Sequence, residues 1–367
     1  MSALWDLPAP ERALEGAPNA AGLGRAALRA LAAACGEPAF RGDQLFEGIY
    51  AKGWSDWSRF TNLPKAFRER LQAEVRLAWP RIVQSLPSED RSTKHGFELE
   101  DGKQVEGVHM PYRDRTTLCL SSQVGCAMAC TFCATGQMGI IRNLTAAEIV
   151  GQVMAMLAHH GRPVGADGEP DPLNLVFMGM GEPLHNLDHV MAAFEILTDP
   201  KGLALSPKRI TVSTSGLVSG IERLGAFAKR PRLALSLNAT TDEYRSRIMP
   251  VNKAWDLEAL ASALAAFPLQ SGERITLEYV LLKGVTDSLE DGRRLASYAK
   301  RFPSKVNLIP FNPHEGSGFE APTEARIQEL CRLLVQEGVI VSVRRSRGQD
   351  VAGACGQLVK EGQGRKR

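Results

Sequence analysis

Three cysteines close together in sequence constrain this chain more than any other feature. Cys126, Cys130 and Cys133 lie within eight residues and follow a C-x3-C-x2-C spacing. Thiolates this close converge on one point, and they leave a tetrahedral metal ion, or one corner of an iron–sulfur cube, without a protein ligand. An open coordination position of this kind indicates a reactive site.

The cysteine triad has three interpretations from the residues alone. A structural zinc site needs a fourth ligand, and the sequence contains no second close pair of cysteines to provide it. Unreactive thiols are common in protein cores, but three of them in one short turn are not typical of a core. A 4Fe–4S cluster with one open iron fits the short spacing best.

The residues around the triad resemble the cluster loop of radical S-adenosylmethionine (SAM) enzymes. Phe132 is the aromatic residue that precedes the last cysteine in that loop. The stretch from Arg115 to Gly136 is similar to the RNA adenine methyltransferases of the RlmN and Cfr type, and the similarity extends from about residue 20 to about residue 360. The resemblance implies a 4Fe–4S cluster held by the three cysteines, with SAM bound to the open iron.

Composition and charge restrict the class of protein. The chain has 367 residues, of which 44% are hydrophobic, and this is typical of a globular protein with a large core. A formal net charge of only +3 means that any RNA footprint has to be local. Basic residues near the C-terminus favour RNA contact there: Arg344, Arg345, Arg347, Lys360, Arg365, Lys366 and Arg367.

Cysteine usage and the N-terminus indicate the compartment. Seven cysteines in a chain of this length are not typical of a secreted disulfide framework, and they favour a reducing environment. The N-terminus lacks the basic and apolar regions of a signal peptide, and no apolar run approaches the roughly 20 residues that span a bilayer. We therefore expect a cytoplasmic protein that does not associate with membranes.

The pattern along the chain predicts five segments. Residues 1–20 are rich in Pro, Ala and Gly and are expected to be disordered, and residues 21–92 are predicted to form a helical accessory domain that binds RNA. An Asp-Gly turn between alternating stretches predicts a linking β-hairpin over residues 93–112. Residues 113–347 form the main domain, and residues 348–367 form a mobile catalytic loop and a basic tail.

The aromatic residues of the helical domain have two interpretations. Trp54, Trp57 and Phe60 are interleaved with basic residues, a pattern that suits stacking on single-stranded RNA. Large apolar side chains are more often part of a hydrophobic core, and we favour that assignment for each of them.

Apolar, β-branched runs alternate with helix-length segments in the main domain. The predicted strands cover residues 116–124, 173–178, 209–213, 232–237, 274–282, 306–311 and 339–343. This alternation indicates right-handed βαβ units and a parallel sheet, but periodicity does not distinguish a barrel from an open doubly wound sheet. The resemblance implies an α/β fold, a partial (β/α) TIM-like barrel of the radical SAM type with a small N-terminal helical domain. In either architecture the ligand lies at the carboxyl ends of the strands.

Polar residues at predicted strand ends are the candidate SAM contacts. The run Gly179-Met-Gly-Glu-Pro183 resembles the glycine-rich motif that holds the amino group of SAM, which implies contacts from Gly181 and Glu182. Small hydroxyl and amide side chains at later strand ends are able to hydrogen-bond a carboxylate and a ribose, although they also suit simple turns. By the resemblance, the remaining SAM contacts are Ser213, Ser236, Leu237, Asn238 and Asn312.

Two further cysteines and one glutamate are the candidate catalytic residues. Cys355 lies in a glycine-flanked loop after the last predicted strand, and Cys119 lies within the first strand of the main domain. The resemblance implies that Cys355 carries the methyl group, that Cys119 resolves the covalent intermediate, and that Glu106 accepts a proton. A solvated surface carboxylate is the alternative for Glu106. The remaining cysteines, Cys35 and Cys331, are assigned to apolar helix faces.

The resemblance implies a radical mechanism with two SAM molecules per turnover. The Cys355 thiolate takes a methyl group from the first SAM, and a 5′-deoxyadenosyl radical from the second removes a hydrogen atom from that methyl group. The resulting carbon radical adds to adenine and leaves the RNA covalently bound to Cys355. Cys119 then breaks the carbon–sulfur bond and forms a Cys119–Cys355 disulfide, so an electron-donor protein and a disulfide reductant are implied partners.

The function predicted from this resemblance is methylation of carbon 2 of adenine in 23S rRNA, and in tRNA at the adenosine 3′ of the anticodon, by a monomeric enzyme. Two alternatives remain open. A Cfr-like enzyme would methylate C8 of adenine with the same cysteines. A non-catalytic RNA-binding protein would use the triad and a distant residue to hold zinc, and it would contain zinc without iron or sulfide.

Overall fold

The computed structural model describes residues 18–162, 171–314 and 316–358. Its helices are α1 (Arg25–Ala34), α2 (Phe40–Phe46), α3 (Lys65–Glu74), α4 (Ala134–Gln137), α5 (Ala146–His160), α6 (Leu187–Thr198), α7 (Val218–Gly225), α8 (Asp242–Ile248), α9 (Leu257–Ala266), α10 (Leu289–Ala299) and α11 (Glu324–Gln336). Its strands are β1 (Arg81–Pro87), β2 (Thr93–Glu98), β3 (Gln104–Pro111), β4 (Thr116–Cys119), β5 (Gln123–Gly125), β6 (Ile140–Asn143), β7 (Leu173–Phe177), β8 (Ile210–Thr214), β9 (Arg232–Ser236), β10 (Ile275–Leu281), β11 (Ser304–Pro310) and β12 (Val341–Val343).

The main sheet has a strand order that follows the chain. The order is β1-β2-β3-β4-β7-β8-β9-β10-β11-β12, and β5 pairs with β6 in a separate hairpin. Strands β1 to β4 are antiparallel neighbours, whereas β4 and β7 to β12 are parallel to one another. Each new parallel strand is added on the same side, without the reversal of order that a doubly wound sheet contains. This topology is that of a partial barrel, and it confirms the predicted fold class.

The segment predicted as the first parallel strand is divided in two. The sequence predicts one strand over residues 116–124, but β4 belongs to the main sheet and β5 to the small hairpin with β6. Ser121 lies between them, where its N–H donates to Gln152 Oε1 at 2.9 Å and its hydroxyl donates to the carbonyl of Glu106 at 2.6 Å. These bonds replace the sheet ladder, so the chain leaves the sheet before it reaches the cysteines. Two short helices, α7 and α8, follow β8 and β9 and complete the alternation of parallel strands and helices.

The N-terminal helices enclose their own aromatic core. Trp57 and Phe60 are buried and Trp54 is partly buried, which agrees with the core assignment. The hydroxyl of Tyr50 donates to the carbonyl of Leu23 at 2.9 Å, so the polar end of this buried ring is satisfied.

Both ends of the N-terminal region differ from the predicted boundaries. The segment predicted as helical, residues 21–92, ends in strand β1, which pairs with β2 and turns the predicted hairpin into a three-stranded antiparallel extension of the barrel sheet. Residues 1–17 of the predicted disordered segment lie outside the described residues. Asn19 and Ala20 are packed: Asn19 accepts a bond from the amide of Ala78 at 3.1 Å, and Ala20 is fully buried.

Helix α5 shows how the sequence positions a barrel helix. Thr145 and Glu148 form a reciprocal capping box at its first turn, which satisfies two backbone N–H groups that the helix itself leaves free. Its buried face packs against α6 and carries Gln152 towards the end of β4. Within residues 18–162, 171–314 and 316–358, no helix combines the length and the apolar composition that crossing a membrane requires.

Candidate active site

The cysteine triad lies on the loop that joins β5 to α4. Gly125 begins this loop with φ of +78°, and a Cβ atom at this position would lie 1.9 Å from the carbonyl oxygen of Gly139. The amide of Cys126 donates to that same oxygen at 3.0 Å. Only glycine fits at position 125, because the carbonyl of Gly139, just before β6, occupies the space that a side chain would need.

The chemistry of the three thiols fits an iron–sulfur cluster. Cys126 and Cys130 are each only 9% exposed, and all three cysteines line one cavity. Burial raises the pKa of Cys126 to about 12 and raises the pKa values of Cys130 and Cys133, and at Cys130 the other two thiolates add to the rise. Three thiolates that repel one another in a buried site are stable together when a metal centre compensates their charge.

The cavity beside the triad is formed at the carboxyl ends of the parallel strands. Gly181 and Glu182 follow β7, Ser213 lies near the end of β8, Ser236 ends β9, and Asn312 follows β11. We call this space the cofactor cavity; Asn238, Glu278, Phe311 and Cys355 also line it. Its place at the strand ends is the position that ligands occupy in barrel folds.

Glu182 lines the cofactor cavity, and its carboxylate is held in place by backbone and side-chain hydrogen bonds. One carboxylate oxygen accepts hydrogen bonds from the amide and the hydroxyl of Ser215, both at 2.8 Å, and the other accepts from the amide of Leu184 at 3.1 Å. Burial raises the pKa of Glu182, and these hydrogen bonds oppose the rise. The preceding Gly181 has φ of +103°, and a Cβ there would lie 2.6 Å from Gln123. The Gly181–Glu182 backbone is therefore held in one conformation.

The residues at the end of β9 separate into two groups. Ser236 lies with its Oγ 3.4 Å from Ser213 Oγ, and both line the cofactor cavity. Asn238 also lines it, and its Oδ1 accepts from the amide of Val280 at 3.0 Å. Leu237 is fully buried in the hydrophobic core, and the described residues that line the cavity do not include it.

The loop that carries Cys355 is anchored over the cluster loop. Asn312 donates from Nδ2 to the carbonyl of Cys355 at 3.0 Å, and the amide of Ala134 donates to the carbonyl of Gly356 at 2.8 Å. Gln357 donates from Nε2 to the carbonyl of Pro313 at 2.8 Å. Residues 359–367 of the predicted loop and tail lie outside the described residues. The part that is described is held by contacts to both sides of the cofactor cavity.

Cys355 lies between the cofactor cavity and a second, narrow cleft. This cleft, which we call the cysteine cleft, is lined by Cys119, Cys355, Tyr112, Met178, Arg344 and Gly353, among others. Cys119 and Cys355 are both free thiols. Burial and the nearby charge of Cys355 raise the pKa of Cys119 to about 12. The two cysteines thus share one cleft, and Cys355 alone of the two also lines the cofactor cavity.

Arg344 is a fixed cation beside both cysteines. Its guanidinium lies 3.4 Å from a carboxylate oxygen of Glu278 and donates to the sulfur of Met178 at 3.0 Å. The charge of Cys355 is the main cause that raises the pKa of Arg344. Arg344 therefore places a fixed positive charge beside the Cys355 thiol.

Glu106 is buried, unlike a surface carboxylate. It is 2% exposed, and Lys94 Nζ lies 3.2 Å from its Oε1. The described linings of the cofactor cavity and the cysteine cleft do not include Glu106. Val108 lies two residues further on the same strand and therefore on the same face; it pairs with Cys119 in the β3–β4 ladder and lines the cysteine cleft. Glu106 therefore lies on the same face of β3 as Val108, two residues before this residue of the cysteine cleft.

Similarity to characterised proteins extends over nearly all of the chain. Residues 120–296 match the family model of the Radical SAM superfamily, and residues 18–77 match that of the Ribosomal RNA large subunit methyltransferase N-terminal domain. The dual-specificity RNA methyltransferase RlmN of Geotalea uraniireducens is 48% identical over 90% of this chain and 93% of that protein. The enzyme of the same name from Geobacter sulfurreducens is 47% identical over 88% of this chain and 87% of that protein. The chain belongs to the RlmN family of radical SAM RNA methyltransferases.

A solved structure supports the RlmN assignment at the level of the fold. The crystal structure of a radical SAM methyltransferase from Sphaerobacter thermophilus has a TM-score of 0.87 and 39% identity, and it covers 93% of this chain and 99% of that chain. Membership of the family makes the chain an enzyme, with SAM and a 4Fe–4S cluster as its cofactors. The alternative of a non-catalytic zinc protein is therefore discarded.

The basic residues predicted to bind RNA are mostly engaged within the protein where they are described. Arg344 lies in the cysteine cleft, Arg345 pairs with Glu324 at 2.8 Å, and Arg347 donates to the carbonyl of Pro111 at 2.6 Å. The other four, Lys360, Arg365, Lys366 and Arg367, lie outside the described residues.

Several residues that shape the RlmN site are missing from the sequence prediction. Glu278 is the only acidic residue in the apolar strand β10, and a lone charge in a buried strand is a signal that would have identified it. Ser215 and Gln123 hold Glu182 from other elements. They carry no such signal, because a serine or a glutamine acquires this role only through tertiary contacts.

Proposed function

We propose that this chain methylates carbon 2 of adenine in 23S rRNA and in tRNA, with the adenosine 3′ of the anticodon as the tRNA target. The RlmN relatives named above are dual-specificity RNA methyltransferases. The observation that carries the proposal is that Cys355 lines both the cofactor cavity and the cysteine cleft. A methyl carrier needs this position, since it receives the group from SAM on one side and meets the resolving thiol on the other.

In this proposal the residues of the cofactor cavity hold the two cofactors. Cys126, Cys130 and Cys133 bind the 4Fe–4S cluster, and the polar residues at the strand ends bind SAM: Gly181, Glu182, Ser213, Ser236, Asn238 and Asn312. The side chain of Leu237 is buried in the hydrophobic core, so in this proposal only its backbone is available to contact SAM. When bound, the cluster and SAM supply a methyl cation equivalent and a carbon-centred radical, and these overcome the low reactivity of an electron-poor adenine carbon.

Cys355 is the proposed methyl carrier. Its thiolate attacks the methyl group of a first SAM, so that an S–C bond forms and S-adenosylhomocysteine leaves with the electron pair. Arg344 places a positive charge beside this sulfur. A second SAM, held at the open iron by the triad and the strand-end residues, would supply the radical that removes a hydrogen atom from the carried methyl group, so that two SAM molecules would be used per turnover. The carbon radical on Cys355 adds to C2 of adenine, the adduct gives up one electron, which the oxidised cluster would accept, and the RNA is then linked covalently to Cys355.

Release of the RNA requires a base and a second thiol. Glu106 takes the proton from C2 of the linked adenine, and the Cys119 thiolate attacks the Cys355 sulfur. An S–S bond forms, the S–C bond breaks, and the carbon that leaves takes up a proton and becomes the methyl group. The Cys119–Cys355 disulfide is then reduced by two electrons from an external thiol reductant. This cycle also needs an electron-donor protein and a reducing compartment such as the cytoplasm, and we propose that it runs in a monomer.

The N-terminal domain is the proposed RNA-binding accessory domain. Residues 18–77 match the N-terminal domain of ribosomal RNA large subunit methyltransferases. With its aromatic residues largely in the core, the contacts fall to exposed cations such as Lys52, Arg59 and Lys65. These side chains bind phosphates and position the RNA, and they do not read its sequence.

Nucleoside analysis tests the proposed reaction. Unmodified 23S rRNA and tRNA are incubated with the cluster-loaded enzyme, SAM and a reductant, and are then digested to nucleosides. We expect 2-methyladenosine from both RNAs. 8-Methyladenosine alone would establish the Cfr-like reaction instead, and product from only one RNA would refute dual specificity.

A further inference from the structure

Histidines are concentrated at one place outside the active site. The chain has seven histidines, and four of them meet behind the β2–β3 hairpin. His95 lies on β2, His109 on β3, and His159 and His160 end helix α5. Imidazole is a preferred ligand of divalent transition metals, so this cluster is a candidate metal site.

Three of the four imidazoles converge with the spacing of metal ligands. One ring nitrogen from each of His95, His159 and His160 lies within 4.8 Å of the other two. The Nε2 atoms of His95 and His160 are 2.8 Å apart. Zinc bonds imidazole nitrogen at about 2.0 Å, and tetrahedral geometry then places two nitrogens about 3.3 Å apart. Small rotations of the exposed His159 and His160 are sufficient to reach this arrangement.

Neighbouring groups orient the rings of the cluster. His95 is fully buried, and Ser85 Oγ lies 2.9 Å from its Nδ1, which leaves Nε2 directed at the other histidines. Metal-binding histidines are typically fixed through their second nitrogen in this way. His109 stacks on His160 with centroids 3.8 Å apart and planes 7° apart, so it holds the plane of that ring.

We propose that His95, His159 and His160 bind one divalent first-row transition-metal ion, with Zn²⁺ as the ion to test first and water in the open fourth position. The site is separate from the cysteine triad. Successive residues of a strand point to opposite faces, so His95 lies on the face of β2 opposite to Lys94, which pairs with Glu106. A bound ion would fasten the end of α5 to the back of the hairpin that carries Glu106.

Zinc content in cluster-loaded protein tests the site. Iron occupies the cysteine triad in this preparation, so its thiols do not compete for zinc. One equivalent of ZnCl2 is added anaerobically, weakly bound metal is removed with a chelating resin, and zinc and iron are counted per chain. The double variant His159→Gln/His160→Gln removes two exposed ligands, and His189→Gln replaces another exposed histidine on α6 as the matched control.

We expect about one zinc per chain, beside a full complement of iron, in the unmodified protein and in the His189→Gln control. We expect at least tenfold less in the double variant. Zinc should raise the melting temperature of the first two proteins and not of the third, because an ion that binds only the folded state stabilises it. X-ray absorption at the zinc edge should show nitrogen neighbours at about 2.0 Å. Equal zinc in all three proteins, no zinc in the unmodified protein, or sulfur neighbours at about 2.3 Å would overturn the proposal.

Discussion

Asn312 donates a hydrogen bond from its side-chain amide to the backbone carbonyl of Cys355 at 3.0 Å. Its Oδ1 accepts a second bond from Gln349 Nε2 at 2.8 Å. Asn312 also lines the cofactor cavity, so the same side chain contacts the proposed SAM site and the loop of the proposed methyl carrier. Occupation of the cavity and the position of the Cys355 loop are therefore physically linked.

The first prediction separates the position of the loop from cofactor binding. Gln357 is buried and bonds to Pro313 and Ala354, but it is not among the described residues that line the cofactor cavity. Gln357→Ala removes both bonds, each worth about 1 kcal/mol, and should slow methylation of Cys355 by about tenfold. Mass spectrometry of the Cys355 peptide after timed incubation with SAM measures this rate.

The matched control for the loop variant is Gln328→Ala, which removes a surface hydrogen bond to Glu324 on α11. It should methylate Cys355 at the unmodified rate. Reductive cleavage of SAM should be unchanged in both variants, because the residues of the triad and the strand ends are intact. An unchanged methylation rate in the Gln357 variant would show that this anchor does not position the carrier.

The second prediction concerns the turn that begins the cluster loop. Gly125 and Gly139 both have positive φ, +78° and +69°, but a Cβ atom would collide with backbone only at Gly125. Gly139→Ala costs only the unfavourable φ, about 1 kcal/mol, and should keep a full cluster. Gly125→Ala displaces the loop and should lose most of its iron. Iron and sulfide per chain, after identical anaerobic reconstitution, measure the difference; equal contents would contradict it.

The sequence predicts the repeated part of the fold well. The parallel strands and most of their helices follow from alternating apolar runs, which depend on local pattern. The division of the first strand does not, because it depends on Ser121 finding partners in Gln152 and Glu106, far apart in the chain. The polar residues Ser121, Ser122 and Gln123 interrupt the apolar run before Val124, but single polar residues are also common within strands, so they do not by themselves mark the break.

The candidate site is predicted unevenly for the same reason. The cysteine triad is identified by spacing, since its members are near neighbours in sequence. Arg344 and Glu106 acquire their surroundings through tertiary contacts that no local spacing marks: Arg344 meets Cys355 and Glu278, and Glu106 meets Lys94 across the hairpin. A basic residue near the C-terminus predicts solvent or RNA contact on composition alone, so the position of Arg344 in the cysteine cleft needs the structure.

The third prediction tests the release step. Cys119→Ala removes the thiol that shares the cysteine cleft with Cys355, and it should accumulate a covalent protein–RNA adduct. Glu106→Gln keeps the shape of the side chain but no longer accepts a proton, so it should accumulate the same adduct. The double variant Cys119→Ala/Cys355→Ala should form none. Denaturing gels with labelled RNA show the adduct as a shifted band, and normal turnover by Cys119→Ala would remove its resolving role.

The fourth prediction concerns the ion pair between Lys94 and Glu106. Lys94 and Glu106 are both largely buried with 3.2 Å between Nζ and Oε1. Lys94→Met leaves the buried carboxylate of Glu106 without its cation, and it should lower the free energy of unfolding by about 3–5 kcal/mol. Lys94→Met/Glu106→Gln removes both charges and should recover much of that loss. Urea titrations of the three proteins measure the difference, and equal losses in the two variants would contradict a charge-based cause.

The last prediction tests the electrostatic role of Arg344 beside Cys355. Arg344→Gln alone would leave the buried carboxylate of Glu278 without its cation and would destabilise the protein. The informative variant is therefore Arg344→Gln/Glu278→Gln, which removes both charges. Glu278→Gln alone is its control, since it removes the anion and keeps the cation. Without the cation, the electrostatic interaction between Arg344 and the Cys355 sulfur is lost, and methylation of Cys355 by SAM should be about tenfold slower than in the control.

A charge-conserving variant distinguishes this electrostatic role from a structural one. Arg344→Lys keeps a cation beside Cys355 and Glu278, so its rate of Cys355 methylation should stay close to that of the unmodified protein. A deficit in Arg344→Lys as large as that of the double variant would mean that Arg344 only packs the cleft. Rapid-quench measurements of S-methylcysteine formation in cluster-loaded protein determine which of the two holds.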